Sequence, residues 1–189
     1  MGKKALAASA VLLGCLIFAS VAPASSAQSH HKPSRDEAEK VIRATAHEMM
    51  KAFLTSDVQT FKRHSAKRML DLVSLVFEAA RQDPRYQQEL QNARITNADQ
   101  FLSYFLQGMA TQYLQTVPLS PEAAARRVAN DSTVSFISDS EARIVAGDNE
   151  VARARLVARA WKIDLTDSLK KAVLKEVNDP AMRARIKSL

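Results

Sequence analysis

The chain has 189 residues, 47% of them hydrophobic, which suits a single domain with a core large enough to need no disulfides. Its single cysteine, Cys15, excludes an intrachain disulfide and a Cys-rich zinc or iron–sulfur site. The formal net charge is +7, but the basic residues are scattered among acids without a basic block, so no nucleic-acid partner is predicted.

The first 27 residues have the pattern of a secretory signal peptide. Two lysines form a short positive start, residues 5–22 are uncharged and apolar, and small residues lead up to Ala27. Cleavage after Ala27 would leave 162 residues without cysteine, with 25 Lys and Arg against 20 Asp and Glu and thus a net charge of +5. We therefore expect a periplasmic or secreted protein that begins at Gln28 and has no membrane span after cleavage.

Two other interpretations of this segment stay open. Leu12-Leu13-Gly14-Cys15 resembles the lipobox of bacterial lipoproteins, although the residues after Cys15 continue the apolar run. Residues 5–22 also approach the length of about 20 residues that spans a bilayer, so the segment could persist as an uncleaved anchor. Residues 28–33 are expected to form a polar, flexible tail, and residues 34–189 are expected to form one domain.

Capping patterns and apolar periodicity predict helices through the first part of that domain. Ser34-x-x-Glu37 has the form of a capping box, and it precedes about 20 residues with one apolar stripe. Ser56 with Gln59 repeats the pattern and predicts a short second helix that carries Phe61 inward. Further helices are predicted at about residues 66–82, ended by Asp83-Pro84, then from Asn97 to about Gln115, and from Ser120 to about Ala129.

The hydrophobic period changes to two after Asn130-Asp131, which predicts antiparallel strands between residues 133 and 165, with a turn at Asp148-Asn149. Residues 151–158 fit both a strand and a helix, and we prefer the strand because of the resemblance described next. A last helix is predicted from Asp167 to Val177, followed by a short helical turn after Asp179-Pro180.

The predicted helices are followed by strands, the last of which is Trp161-Lys162-Ile163-Asp164-Leu165. This order resembles the cone-shaped superfamily named for nuclear transport factor two. The segment Ser138 to Ile144 resembles the family's polar turn and strand, and the likeness spans about residues 36–166. It implies an α+β fold in which N-terminal helices pack on a curved antiparallel sheet around an apolar pocket, here with an added C-terminal helix. This chain has Arg159-Ala160 where the family commonly has a glycine at a hairpin turn. The resemblance implies no activity, because the fold carries isomerases, hydrolases, carriers and partner modules alike.

Few residues are candidates for a site. Asp71 interrupts the most apolar stretch, and a carboxyl group in an apolar pocket would suit general acid or base chemistry, unless it occupies the solvated strip of its helix. Asp164, which alternates away from Trp161, is the second candidate base. Phe105, Met109 and Trp161 are candidates for the lining of a pocket, although residues at this spacing more often form plain core.

No metal or cofactor is predicted. His47 and Glu48 begin like the zincin helix motif, but Lys51 stands where the second histidine must be. The leading hypothesis is a non-enzymatic exported domain that binds an apolar or amphipathic small molecule, or an envelope protein, and that could form a homodimer. The alternatives are an isomerase or hydrolase that uses a buried carboxylate, and an α-rich envelope interaction protein without a pocket.

Overall fold

The computed structural model describes residues 34–189. The predictions of a signal peptide, a lipobox, an anchor and a polar tail concern residues 1–33 and lie outside the described residues. The elements are α1 (Arg35–Leu54), α2 (Val58–His64), α3 (Lys67–Gln82), α4 (Pro84–Asn92), α5 (Ala98–Thr116), α6 (Pro121–Asp131), β1 (Thr133–Ser138), β2 (Glu141–Ala146), β3 (Asn149–Val157), β4 (Ala160–Asp164), α7 (Thr166–Glu176) and α8 (Pro180–Ser188). The predicted α+β class, with helices packed on an antiparallel sheet and a helix added at the C-terminal side, is confirmed. None of the helices in residues 34–189 has the length and apolar character that a membrane span requires.

Side-chain caps determine where the first helices begin. The Ser34 hydroxyl accepts from the Glu37 amide at 3.2 Å and the Glu37 carboxylate accepts from the Ser34 amide at 2.9 Å, so the predicted capping box is present. The second helix begins one residue later than predicted, because Asp57 accepts the Thr60 amide at 3.0 Å. Ser56 instead lies in the left-handed region at φ 56°, in the turn between the two helices.

The predicted stop at Asp83-Pro84 is also the start of a helix. Asp83 follows the last residue of α3, and its side chain accepts the Arg85 amide at 2.9 Å, while Pro84 takes the first position of α4, where its missing N–H is not needed. From the sequence, Asp83-Pro84 predicts only the end of α3, so α4 is not among the predicted helices. The helix contributes to a second hydrophobic cluster beside the main core, made of Phe77, Ala80, Leu90, Ile95 and Phe101.

The four strands form an antiparallel meander in the order β1-β2-β3-β4. The ambiguous residues 151–157 lie in β3, so the preferred strand is confirmed and the helical alternative is wrong. Ala142 pairs with Ala154, and Ala154 with Ile163, and all three are buried on the face that joins the main core. The helix α1 lies against β4 and β1, so the long first helix and the sheet enclose this core between them.

Two turns in left-handed conformations join the last three strands. Gly147 and Asp148 form the first, one residue earlier than predicted, and Gly147 has φ 59°. Ala158 and Arg159 form the second with φ 48° and 67°. Two-residue hairpins favour Asn-Gly in this geometry, and a residue with a side chain pays about 1–2 kcal/mol in the left-handed region. The hairpin between β3 and β4 is therefore strained at the place where the resembling family commonly has glycine.

Trp161 lies at the junction of the sheet and the helices. Its side chain belongs to the main hydrophobic core, and the residue is only 7% exposed. The ring packs against the Phe136 ring of β1, with centroids 6.2 Å apart and planes at 72°, an edge-to-face arrangement. This ring therefore links the two outer strands of the sheet.

Replacement of this ring tests its core placement. We expect Trp161→Ala to lower the free energy of unfolding by about 3 to 5 kcal/mol, because it removes a large buried apolar surface and leaves a cavity. Urea denaturation of both proteins measures the change. A loss below about 1 kcal/mol, the range usual for surface positions, would contradict the placement.

The strained hairpin predicts a variant that is more stable than the wild type. We expect the double variant Ala158→Asn/Arg159→Gly to raise the free energy of unfolding by about 1 to 2 kcal/mol, since both residues then tolerate φ near +60°. The matched control is Gly147→Ala in the neighbouring hairpin, which should lose about 1 kcal/mol because alanine disfavours that region. Thermal unfolding of the three proteins is the measurement, and no gain in the double variant would argue against the left-handed turn.

Candidate functional site

A cavity of about 450 Å³ lies where α3, α4 and α5 meet the end of α7. Its volume is within the range of about 300 to 1,000 Å³ that is typical of small-molecule sites. Every residue that lines it comes from a helix or from a segment next to one, and no strand residue reaches it. The cavity is therefore a space between helices, whereas the resemblance implies a pocket enclosed by the sheet.

Apolar side chains from three helices form the wall of this cavity. Val76 and Ala79 lie one turn apart on α3, Phe101 lies near the start of α5, and Val173 lies in the last turn of α7, with Val177 following as its C-cap. Residues three or four apart share one face of a helix, so each of the two pairs presents a small apolar stripe. Because valine and alanine are short, the facing stripes leave a space that larger side chains would fill.

Charged groups surround the opening, and three of them already form hydrogen bonds within the protein. Arg85 donates from Nε to both carboxylate oxygens of Asp83 at 3.0 and 2.9 Å, and its hydrogen bond holds the pKa of Asp83 below the ordinary value. Asp179 accepts the Met182 amide at 2.6 Å as the N-cap of α8. The Glu176 carboxylate accepts no hydrogen bond and forms no salt bridge among residues 34–189. The rim carries three carboxylates against one guanidinium and is therefore negative overall.

The predicted pocket residues lie elsewhere. Met109 and Trp161 are buried in the main core, 4% and 7% exposed, and Phe105 packs partly buried against the same core. None of the three lines the cavity between the helices. Their burial supports the plain-core alternative, and a role in ligand binding stays a prediction.

Asp71, the first candidate base, lies on the solvated strip of α3. Its carboxylate forms a salt bridge with Lys67 one turn earlier at 2.7 Å, and 41% of its side chain is exposed. Asp71 is not among the residues that line the cavity. Asp71 therefore lies on the solvated strip of its helix, which is the alternative to a catalytic role given above.

Asp164, the second candidate, is a buried carboxylate held by three groups. Arg155 Nε lies 3.1 Å and Arg68 Nη1 3.5 Å from Oδ2, while the Thr166 amide donates to Oδ1 at 2.9 Å, and the side chain is 2% exposed. Burial acts to raise the pKa of Asp164, but hydrogen bonding by Thr166 and the two positive charges outweigh it, so its pKa lies below the ordinary value. The carboxylate is therefore ionised and engaged at neutral pH, whereas a general base needs a pKa near the working pH.

Arg68 extends this contact to the C-terminal helices. Besides Asp164 it binds the Asp167 carboxylate through Nη2 at 2.7 Å and donates from Nε to the backbone carbonyl of Leu189. One guanidinium on α3 thus joins the end of β4, the first turn of α7 and the C-terminal residue. Since α3 and α7 both contribute residues to the cavity wall, this ion cluster around the buried Asp164 holds the two helices in place.

His47 has a packing role between α1 and α6. Its ring nitrogens lie 3.2 Å from the carboxylates of Glu48 and Glu122, and Lys51 reaches Glu122 at 3.0 Å. The hydrogen bond from Lys51 holds the pKa of Glu122 below the ordinary value. Within residues 34–189 no three His, Cys, Asp or Glu side chains converge as metal ligands would.

The cavity-lining residues were not singled out by sequence reasoning, although a signal for part of them exists. Val173 and Val177 fall within the predicted last helix, and Val76 lies in the helix predicted at residues 66–82. Their meeting depends on contacts between segments about a hundred residues apart in the sequence. Because α4 was not predicted, its residues at the opening of the cavity were not predicted either.

The ion cluster predicts a stability that depends on pH. We expect Asp164→Asn to lower the free energy of unfolding by about 1.5 to 3 kcal/mol at neutral pH, because the neutral amide loses the charge-assisted contacts with Arg155 and Arg68, which keep only their pairs with Glu141 and Asp167. The pKa of Asp164 is lower in the folded than in the unfolded chain, so its stabilisation is present above pH 4 or so and is lost as the pH falls through the folded value. The difference between the two proteins should therefore shrink in acid.

Urea denaturation at a series of pH values measures this, with Asp71→Asn as the matched control. That variant removes an exposed pair on the same helix as Arg68 and should cost less than about 1 kcal/mol. Equal losses in the two variants, or a difference for Asp164→Asn that does not change with pH, would contradict the assignment.

No protein-family model, curated protein or solved structure matches this chain. The resemblance to the nuclear-transport-factor-two superfamily therefore stays a prediction.

Proposed function

We propose that this chain is an exported, non-enzymatic domain that binds an amphipathic small molecule in the cavity between α3, α5 and α7. The observation that carries the proposal is the cavity itself, about 450 Å³ with apolar walls and a charged rim. Ligand sites commonly combine such walls with a few polar groups that orient the bound molecule. Export enters the proposal through the signal-peptide pattern of residues 1–27.

The two facing stripes favour an apolar body for the ligand. Val76 and Ala79 on one side and Val173 and Val177 on the other offer no hydrogen-bonding side-chain atoms. A polar group placed between these four side chains would lose its water without gaining a partner from them, which is costly. The apolar part of the ligand therefore lies between α3 and α7.

The rim favours a polar head that is cationic or neutral. The Asp83 carboxylate and the Arg85 guanidinium satisfy one another, which leaves Glu176 as the carboxylate free to pair with a ligand. An anionic head would meet a negative rim in which the single guanidinium is already engaged. Electrostatic complementarity of this kind contributes more to the specificity of binding than to its affinity.

The enzymatic alternative requires a carboxylate that faces a substrate space. Neither Asp71 nor Asp164 lines the cavity, and Asp164 is held by two arginines. Binding therefore accounts for the described side chains with fewer assumptions than an isomerase or a hydrolase would.

Filling the cavity tests the proposal. We expect decyltrimethylammonium, used below its micelle concentration, to bind the wild-type protein in a calorimetric titration, and Ala79→Phe to weaken its binding roughly tenfold or more, equivalent to about 1.4 kcal/mol. The control is Ala44→Phe, the same change on the exposed face of α1, which should bind like wild type. Failure of the wild type to bind, or equal affinity in both variants, would contradict the cavity as the site.

The same titration with matched head groups tests the rim. Decanoate should bind more weakly than decyltrimethylammonium, and Glu176→Gln should weaken only the cationic probe, leaving the neutral decyl maltoside unchanged. Preference for decanoate in the wild type would contradict the role of Glu176.

A further inference from the structure

The strand β1 is an edge of the sheet whose outer side has no strand partner in the described part of the chain. It pairs with β2 on one side only. The opposite edge of the sheet is different, because Ser65 forms a parallel bridge with Ile163 of β4 and the Ala66 amide donates to the Ile163 carbonyl at 2.8 Å. Among residues 34–189, one edge is thus covered by the chain itself and the other has no strand against it.

The open edge lacks most of the features that commonly protect an edge strand. Natural sheets place charged residues or proline on such strands. The six residues Thr133–Ser138 contain neither, and Ile137 is 46% exposed. A bulge between Phe136 and Ser138 bends the end of the strand, which leaves the stretch before it regular. Within the described part of the chain this regular stretch has no strand on its outer side, so its outward backbone groups are placed to pair with an aligned strand.

We propose that the occupant of this edge is β1 of a second copy of the chain, paired antiparallel across a twofold axis. The register that places Ser135 on the axis sets Val134 opposite Phe136 of the second copy, and the reverse. In this register the residues of the inner face stay on the inner face, which a shift by one residue would not allow. The two sheets then join into one continuous sheet of eight strands.

The side chains support a second copy over a different partner. Val134 and Phe136 are half-buried, and their mutual pairing covers the remaining apolar surface of both with a β-branched and aromatic combination. Thr133 comes opposite Ile137, which lies in the bulge, so the regular pairs across the axis are Ser135 with Ser135 and Val134 with Phe136. Because the strand has no charged residue, no like charges oppose one another across the axis. The same six residues therefore supply both sides of a compatible contact.

The approach to the strand is held in place by α1. Arg43 donates to the backbone carbonyls of Ala129 and Ser132 at 2.7 and 2.6 Å, just before β1 begins. The Arg35 guanidinium lies 5.8 Å from the centre of the Phe136 ring. The edge is thus prearranged within one copy, so pairing needs little further ordering of the chain.

Single cysteines test both the contact and its register. In full-length chain carrying Cys15→Ser, an introduced cysteine is the only thiol. The two copies of position 135 should lie about 4.5 to 5.5 Å apart between Cα atoms, within the range of a disulfide. We expect Ser135→Cys to form a disulfide-linked dimer on mild oxidation. The control Thr133→Cys should not, because its two copies lie four residues apart along the strands, about 13 Å.

Sedimentation velocity gives an independent measurement. Wild type and Ser135→Thr should be dimers, and Ser135→Lys should be a monomer with unchanged circular dichroism, because two lysines would face one another on the axis. A monomeric wild type, a dimeric Ser135→Lys, or equal cross-linking at positions 133 and 135 would overturn the proposal. If Ser135→Lys does not fold, cross-linking decides the question alone, and its absence in Ser135→Cys counts against the proposal.

Discussion

The buried carboxylate of Asp164 is the constraint on which the arrangement of the other elements depends. An ionised carboxylate away from water is stable only when nearby charges and hydrogen-bond donors replace its hydration. Arg155 on β3, Arg68 on α3 and the Thr166 amide at the start of α7 do so together. Each comes from a different element, so satisfying one carboxylate sets the position of the sheet relative to α3 and α7.

The cavity follows from that arrangement. Arg68 also binds Asp167 and the carbonyl of Leu189, which brings α7 and the end of the chain close to α3. The short side chains on the facing surfaces of α3 and α7 then leave space, and α4 with its cap at Asp83 closes one end. The proposed binding site is thus a product of helix docking, and the sheet contributes to it only through the buried ion cluster.

Local signals in the sequence predicted the elements well, and long-range contacts account for what they missed. The capping box at Ser34, the apolar stripe of α1 and the alternation after Asn130 each act within a few residues, so they could be recognised directly. Asp83-Pro84 marks both the end of α3 and the beginning of α4. The prediction used it only as a helix end, so α4 was not recognised.

The site residues could not be predicted in the same way. Asp164 and Arg68 are separated by 96 positions in the chain, so no local pattern shows that they meet. Phe105, Met109 and Trp161 have the apolar character of pocket residues, but the same character suits the core in which they are buried. The alternation of Asp164 away from Trp161 indicated its face correctly, yet its burial depends on the helices that cover that face.

The proposal that a ligand binds between the helices, and not at the sheet, is tested most directly by nuclear magnetic resonance, which measures Overhauser contacts between decyltrimethylammonium and protein methyl groups. Binding between the helices predicts contacts from the decyl chain to Val76, Ala79, Val173 and Val177. Contacts to Met109 and Ile163 instead, or an absence of contacts under conditions where the probe binds, would contradict it.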